Sequence, residues 1–362
     1  MRVLFLTNVP SPYRIDFFNE LGKQCDLTVL FETQSAKSRN SEWISDKIEN
    51  FKAVFMKGIR TGEAEAFCPE VIRYVRSKRY DIIVVGFYSS PTGMLAIEYM
   101  RLKKIPFILS SDGGIKKNDI GLKYKMKYHF IGAASAWLST GKITTEYLEY
   151  YGAISNKVYT YPFTSISNKD VLTKPLTSKE KAIYRRKLNM KEDTIILSVG
   201  QFIHRKGYDI LLKACNNLND TIGIYIVGGK PTEEYLRLKK EFGLNNIYFI
   251  DFMKKEDLAK YYKAADFFVL PTREDIWGLV INEALAYGIP VITTDKCVAG
   301  VEMIGENEKI GKIINNSVEQ LESELKNIEN QEFSAQRILE VASMYTFEKM
   351  AEAHIECFRK EK

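Results

Sequence analysis

The sequence predicts an α/β protein of two domains, each a parallel sheet with helices on both faces. Three observations carry that expectation. Short, continuous apolar runs alternate with segments of helical period, and continuous rather than alternating strands mark a sheet buried on both faces. The series occurs twice, on either side of a stretch of Thr, Ser, Asn, Lys and Pro over residues 163–181 that reads as the interdomain linker. A chain of 362 residues also exceeds what one core comfortably holds.

In order, the first strand is expected at residues 3–6, ending in the turn-rich Asn8, Val9, Pro10, Ser11 and Pro12, with a helical period through Ile15, Phe17, Phe18 and Leu21. Further strands follow at 27–31, 82–85, 107–109 and 136–138, then at 194–199, 222–227, 247–250, 267–270 and 290–293. Phe347, Met350, Ala353, Ile355 and Phe358 recur at roughly helical spacing and define a C-terminal helix that could dock on either domain. The domains are thus expected at 1–165 and 166–345, with the helix over 346–362. In such sheets ligands bind beyond the carboxyl ends of the strands, which directs attention to the loops at 8–14, 86–93 and 110–114.

Composition narrows the class. Hydrophobic residues at 45% and charged residues at 27% fit a globular enzyme and exclude fibrous or disordered classes. A net charge of +6 suits phosphate-bearing ligands or an anionic membrane surface and does not call for nucleic acid. The five cysteines are scattered, without a disulfide framework or metal-ligand spacing, as in a reducing cytoplasm. The N-terminal run reads as a first strand rather than a signal segment, and no apolar run approaches the roughly 18 residues of a spanning helix. His129, His204 and His354 lie far apart, no Asp-x-Asp pair is present to hold a divalent cation, and neither a Ser-His-Asp nor a Cys-His arrangement can be nominated from spacing.

Two strand-loop-helix units carry the chemistry. The strand at 194–199 runs into Gly200, Gln201, Phe202, Ile203, His204, Arg205, Lys206 and Gly207 ahead of a helix over 208–214, a loop suited to a phosphate group; a solvated Arg-Lys pair is the blander alternative. The strand at 267–270 runs into Pro271, Thr272, Arg273, Glu274 and Asp275, and Gly278 then opens a helix that Gly288 and Pro290 close. That helix is apolar almost all round through Leu279, Val280, Ile281, Ala284, Leu285, Ala286 and Tyr287, so it should be buried, and Glu283 within it needs a partner. Neither loop has dinucleotide-fingerprint or P-loop spacing. Ser110, Ser111, Asp112, Gly113 and Gly114 form either a tight turn or a substrate loop. Lysines 116, 117, 123, 125 and 127, interleaved with Tyr124, Met126 and Tyr128, form either a solvated helix face or a patch resting on anionic lipid.

An acid, seven residues, then Glu283 within WGLVINEALAYGIPVI, with GQFIHRKG upstream, resembles the retaining glycosyltransferases of family 4, the glycosyl transferases group 1. The resemblance is strong over residues 197–301 and looser but collinear before them. It implies the GT-B fold, two Rossmann-like domains facing a central cleft, with the C-terminal helix returning to the first. It implies a nucleotide-sugar donor on the C-terminal domain, a glycan or lipid-linked acceptor on the N-terminal one, and no metal cofactor. Lys206 matches the diphosphate-binding lysine with Arg205 beside it, Glu283 the acid on the donor ribose, and Asp275 the acid that reads the sugar, while the amides of Gly278, Leu279 and Val280 meet the phosphates. Three positions depart from the family pattern. Asp275 is one methylene shorter than the usual Glu, with Glu274 beside it as a substitute. Gln201 replaces an Arg, and Ser111-Asp112 stands where many members have a His. Pro12, Arg14 and Asp112 are the acceptor-side candidates. The same resemblance is compatible with a nucleotide-sugar epimerase or a non-catalytic nucleotide-sugar binding protein, and with a peripheral enzyme of capsule or lipopolysaccharide synthesis.

Overall fold

The computed structural model describes residues 1–34, 48–76 and 78–362, which divide into two compact units. Met1–Ser165 with Tyr345–Lys362 form one and Ile166–Met344 the other. Tyr345 thus lies with the first unit rather than the second.

The first unit contains β1 (Arg2–Thr7), α1 (Pro12–Gly22), β2 (Asp26–Phe31), β3 (Lys52–Phe55), β4 (Ile59–Arg60), β5 (Ala66–Phe67), α2 (Val71–Val75), β6 (Ile82–Val85), α3 (Pro91–Leu102), β7 (Ile108–Ser110), α4 (Gly121–Ile131), β8 (Ala136–Ser139), α5 (Lys142–Tyr150) and β9 (Val158–Thr160). Its parallel sheet has the order β3-β2-β1-β6-β7-β8-β9, and β4 and β5 form a separate antiparallel pair. The central strands are continuous apolar runs because helices cover both faces. The outer strands β3 and β9 escape that signature: their side chains are half-buried or exposed, so nothing forces an unbroken apolar run.

α1 begins with Pro12 in the first turn, where its missing N–H costs nothing. The helix buries Ile15, Phe17, Phe18 and Leu21. The C-terminal helix, Phe347–Glu361, packs on it within the same unit. Met350, Ile355 and Phe358 are buried there, each contributing about 1.5–3 kcal/mol of transfer free energy. Thr346 caps the helix, and Glu361 pins its far end by accepting from Lys157 Nζ at 2.9 Å and from the Tyr159 hydroxyl at 2.5 Å.

The second unit runs α6 (Ser178–Lys187), β10 (Thr194–Val199), α7 (Tyr208–Ala214), β11 (Ile222–Val227), α8 (Glu233–Glu241), β12 (Ile247–Ile250), α9 (Lys255–Ala264), β13 (Phe267–Leu270), α10 (Leu279–Ala286), β14 (Val291–Thr294), α11 (Val298–Met303), β15 (Gly311–Ile314), α12 (Val318–Lys326) and α13 (Ala335–Ser343); the C-terminal helix of the first unit is α14. Its sheet is parallel throughout, in the order β12-β11-β10-β13-β14-β15. Each sheet has one point where strand order reverses, between β1 and β6 in the first unit and between β10 and β13 in the second. Such switch points are where α/β sheets open a crevice for ligands.

Candidate active site

At the second unit's switch point, Ile196 of β10 lies opposite Phe267 of β13, so the loops leaving the two strands emerge side by side. They touch closely at Gly207, whose φ of 72° is left-handed and where a Cβ would meet the Pro271 carbonyl at 2.0 Å. Hydrogen bonds stitch them together. The Arg273 backbone N–H and the Thr272 hydroxyl both donate to the Arg205 carbonyl, at 2.8 and 2.9 Å. The Arg273 guanidinium donates to the His204 carbonyl at 2.8 Å and to both Asp209 oxygens at 2.7 Å. Burial alone would raise the Asp209 carboxyl, but Arg273 holds it below the usual range. The backbone under Arg205 and Lys206 is therefore fixed by several independent contacts.

These two cations converge on one carboxylate. Lys206 Nζ lies 2.6 Å from Asp275 Oδ2, and Arg205 Nη1 lies 3.5 Å from Oδ1. Arg205 also donates to the Glu274 carbonyl at 2.7 Å. Asp275 is 7% exposed, and its main chain is clamped on both sides: its N–H donates to the Lys296 carbonyl at 2.9 Å and its carbonyl accepts from the Val298 N–H at 3.1 Å. Gln201 is exposed and Glu274 half-buried, both on the same loops.

Behind Asp275, Gly278 adopts φ 102° and a Cβ there would meet Cys297 Sγ at 2.7 Å, so glycine is required at the start of α10. Gly278 has no side chain to cap that helix. The expectation of a fully buried α10 needs correction. Ile281, Asn282, Ala284, Leu285 and Ala286 are buried, but Leu279, Val280, Glu283 and Tyr287 are only half-buried, because one stripe of this short helix leaves the core. Asn282 is the buried polar residue, accepting from Trp277 Nε1 at 2.8 Å. Glu283 Oε2 accepts the Tyr262 hydroxyl at 2.9 Å. Tyr262 is buried, stacked on Tyr287 at 5.2 Å and 5°, and its phenol is raised well above its ordinary value by burial and then by the Glu283 charge, so it stays a proton donor. Sequence reasoning missed Tyr262, which lies on α9 among other aromatic core residues and carries no distinguishing pattern.

In the first unit the structure brings two separately nominated residues together. Arg14 of α1 and Asp112, just beyond β7, pair at 2.6 Å. Arg14 also donates to the Thr7 hydroxyl and to the Tyr13 hydroxyl (3.2 Å), while the Tyr161 hydroxyl donates to Asp112 Oδ1 at 3.2 Å and the Ser111 carbonyl at 2.9 Å. Burial would lower the Arg14 guanidinium, but Asp112 and Tyr13 outweigh it and raise it. Pro12 is half-buried at the start of α1, two residues from this cluster in sequence. Glu32, just past β2, was also missed: it is buried, accepts the Ala66 N–H at 3.1 Å and the Ser90 hydroxyl, and burial pushes its carboxyl up to about 7. Among the described residues, no group of three or more His, Cys, Asp or Glu side chains is placed to hold a metal ion.

Residues 180–343, which hold Arg205, Lys206, Asp275 and Glu283, match the family described as Glycosyl transferases group 1. Two curated relatives are similar to parts of this chain. An uncharacterised 41.2 kDa protein of the Klebsiella pneumoniae cps region is 26% identical over 257 residues, 68% of each chain. The lipopolysaccharide glucosyltransferase WaaG of Escherichia coli K12 is 31% identical over 121 residues, 32% of each chain, so that match spans about a third of the relative. Over the whole chain, the fold is similar to Anabaena HepE in a crystal structure with UDP and glucose, with a TM-score of 0.76, 13% identity and 99% of each chain covered. Two parallel Rossmann-like sheets and this full-length likeness make the fold GT-B.

Proposed function

We propose that this chain is a retaining, metal-independent glycosyltransferase that moves a sugar from a nucleotide-sugar donor to a glycan or lipid-linked acceptor in surface-polysaccharide assembly. The observation that carries the reading is the convergence of Arg205, Lys206 and the Gly278 start of α10 at the switch point of a group 1 transferase segment. As the bond from the anomeric carbon to the phosphate oxygen breaks, negative charge grows on the diphosphate, where two cations and helix-start amides stabilise it. The acceptor oxygen bonds the same face of that carbon and its proton passes to the departing phosphate oxygen, which retains configuration without a carboxylate nucleophile. Glu283, oriented by Tyr262, takes the ribose hydroxyls. Metal independence rests on the family resemblance and on these cations supplying the charge. HepE with bound UDP supports the nucleotide-sugar class.

The decisive test is transfer itself, with UDP-, GDP- and ADP-sugars against a panel of glycan and polyprenyl-linked acceptors, with and without EDTA. The expected product keeps the donor's anomeric configuration, and Lys206→Ala lowers turnover on the order of 100-fold or more. A sugar isomerised without acceptor would mean an epimerase instead, and binding without transfer a non-catalytic protein.

A lipid-linked acceptor at the inner face of the cytoplasmic membrane is supported by α4 and the residues before it. Ile120 and Leu122 are 85% and 74% exposed, and Met126 and Tyr128 are also exposed, amid Lys116, Lys117, Lys123 and Lys125. The patch is anchored from beneath by Asp119, which accepts from Lys127 at 2.6 Å and the Tyr151 hydroxyl at 2.5 Å. Exposed aliphatic side chains ringed by lysines fit an anionic bilayer. Among the described residues no helix is long and apolar enough to cross a membrane. Cosedimentation with anionic vesicles should be strong at low salt, weaken as salt rises, and be lost on replacing Ile120 and Leu122 by Asp. Absence of binding at low salt would remove the membrane role.

A further inference from the structure

The acid expected to read the donor sugar is bound to the cations expected to hold the donor diphosphate. We infer that Asp275 is an internal counter-anion of the diphosphate site: it holds Lys206 and Arg205 before the donor arrives, exchanges them for the diphosphate, and recaptures them as the product nucleotide leaves. The inference rests on the donor-site reading above and adds a step to it.

Three features of the site lead there. A single carboxylate engages both cations, one oxygen to each, at 2.6 and 3.5 Å, in the manner of a phosphate. The carboxylate is also the immobile partner. Its main chain is clamped to Lys296 and Val298, its side chain has one methylene, and it is nearly buried. The cations sit on longer stems, Lys206 on four carbons with its side chain 12% exposed and Arg205 with its side chain 45% exposed, so they can swing further than the carboxylate. Finally, a partly buried ion pair is costly to break on one side only, because the remaining charge is stranded. A diphosphate reaching Lys206 avoids that cost for the lysine, and sugar hydroxyls, as donors, can meet the released Asp275. Charge pairing is then conserved through the exchange, and donor binding is coupled to sugar recognition.

The inference makes a directional claim that a simple sugar-reading acid does not. Removing the carboxylate should tighten the binding of a nucleoside diphosphate that has no sugar, because the internal competitor is gone. The experiment is calorimetry of the full chain with UDP, GDP and ADP, continuing with whichever binds the wild type, and with its nucleoside as a phosphate-free control. Asp275→Asn should bind the diphosphate about tenfold or more tightly, matching the loss of one charged hydrogen bond as competitor, with the nucleoside unchanged. Turnover with the nucleotide-sugar should fall as product release slows. Because Asp275→Asn strands Lys206 at a cost in stability, Lys206→Met serves as a second background: Lys206→Met/Asp275→Asn, which removes the whole pair, should bind the diphosphate more tightly than Lys206→Met alone. Equal or weaker binding after loss of the carboxylate, in either background, overturns the inference and leaves the donor site standing. No nucleotide binding by the wild type overturns the donor site itself, and the inference with it.

Discussion

Each unit sets a cation beyond one strand of its switch point, β1 or β10, and pairs it with a carboxylate from another strand's loop, after β7 in the first unit and after β13 in the second, and the two pairs are held differently. In the first, Arg14, in the first turn of α1 beyond β1, is held by three partners: Asp112, Thr7 and Tyr13 share its donors, and Tyr161 holds Asp112 from behind. In the second, Lys206 beyond the carboxyl end of β10 meets one carboxylate among the described residues, Asp275 at 2.6 Å. A cation held by several partners serves to weld loops together; a long-stemmed cation paired with one anion that a ligand can replace is suited to binding. Charge type alone therefore does not separate scaffold from site, whereas the number of partners does.

The largest expected effect falls on the welded pair. Arg14→Ala strands Asp112 and should cost about 3 kcal/mol of stability, read as a fall in the urea midpoint, whereas Lys206→Ala, which leaves Asp275 with Arg205 at 3.5 Å, should lower that midpoint less and reduce turnover steeply. Equal destabilisation by both would erase the distinction.

A similar effect should come from beneath the weld. His354 on α14 is buried with its ring 4.6 Å from Tyr161 and 4.8 Å from Phe17, its Nδ1 against the Met350 carbonyl, and burial lowers it to about 4. The folded state therefore binds a proton less readily than the unfolded one, whose histidine titrates near 6.5. The stability this depression represents, about 3 kcal/mol, is complete above pH 6.5 and is lost as pH falls toward 4. Chemical denaturation across that window should show a steeper acid loss in the wild type than in His354→Gln, and parallel profiles would contradict the assignment.

The smallest expected effect is at the second unit's other carboxylate. Tyr262→Phe removes one hydrogen bond to Glu283, so the donor KM should rise severalfold, about 1 kcal/mol, with kcat little changed. A drop in kcat alone would assign Glu283 to the chemical step rather than to ribose binding.

Much of the fold was legible because central parallel strands must be apolar throughout: the strands at 82–85, 194–199, 222–227 and 267–270 coincide with β6, β10, β11 and β13, and the outer strand β12 matches its expected 247–250 because it happens to be an apolar run although mostly half-buried. The outer strands β3, β9 and β15 were not, since half-buried strands need no unbroken apolar run. At the site, residue types were legible and their pairing was not. Arg14 and Asp112 lie 98 residues apart, Lys206 and Asp275 69, and the strand register that brings each pair together leaves no mark in local spacing. Tyr262 and Glu32 were hidden for another reason, being ordinary core-edge residues until their partners are seen.

The most direct measurement is a thermal-shift titration of the wild type and Lys206→Ala with UDP, GDP and ADP and their sugars. Ligand binding raises apparent stability by mass action, so one nucleotide series should raise the wild-type Tm and lose most of that shift in Lys206→Ala. No shift with any nucleotide, or an equal shift in both proteins, would contradict a donor site at the β10–β13 switch point.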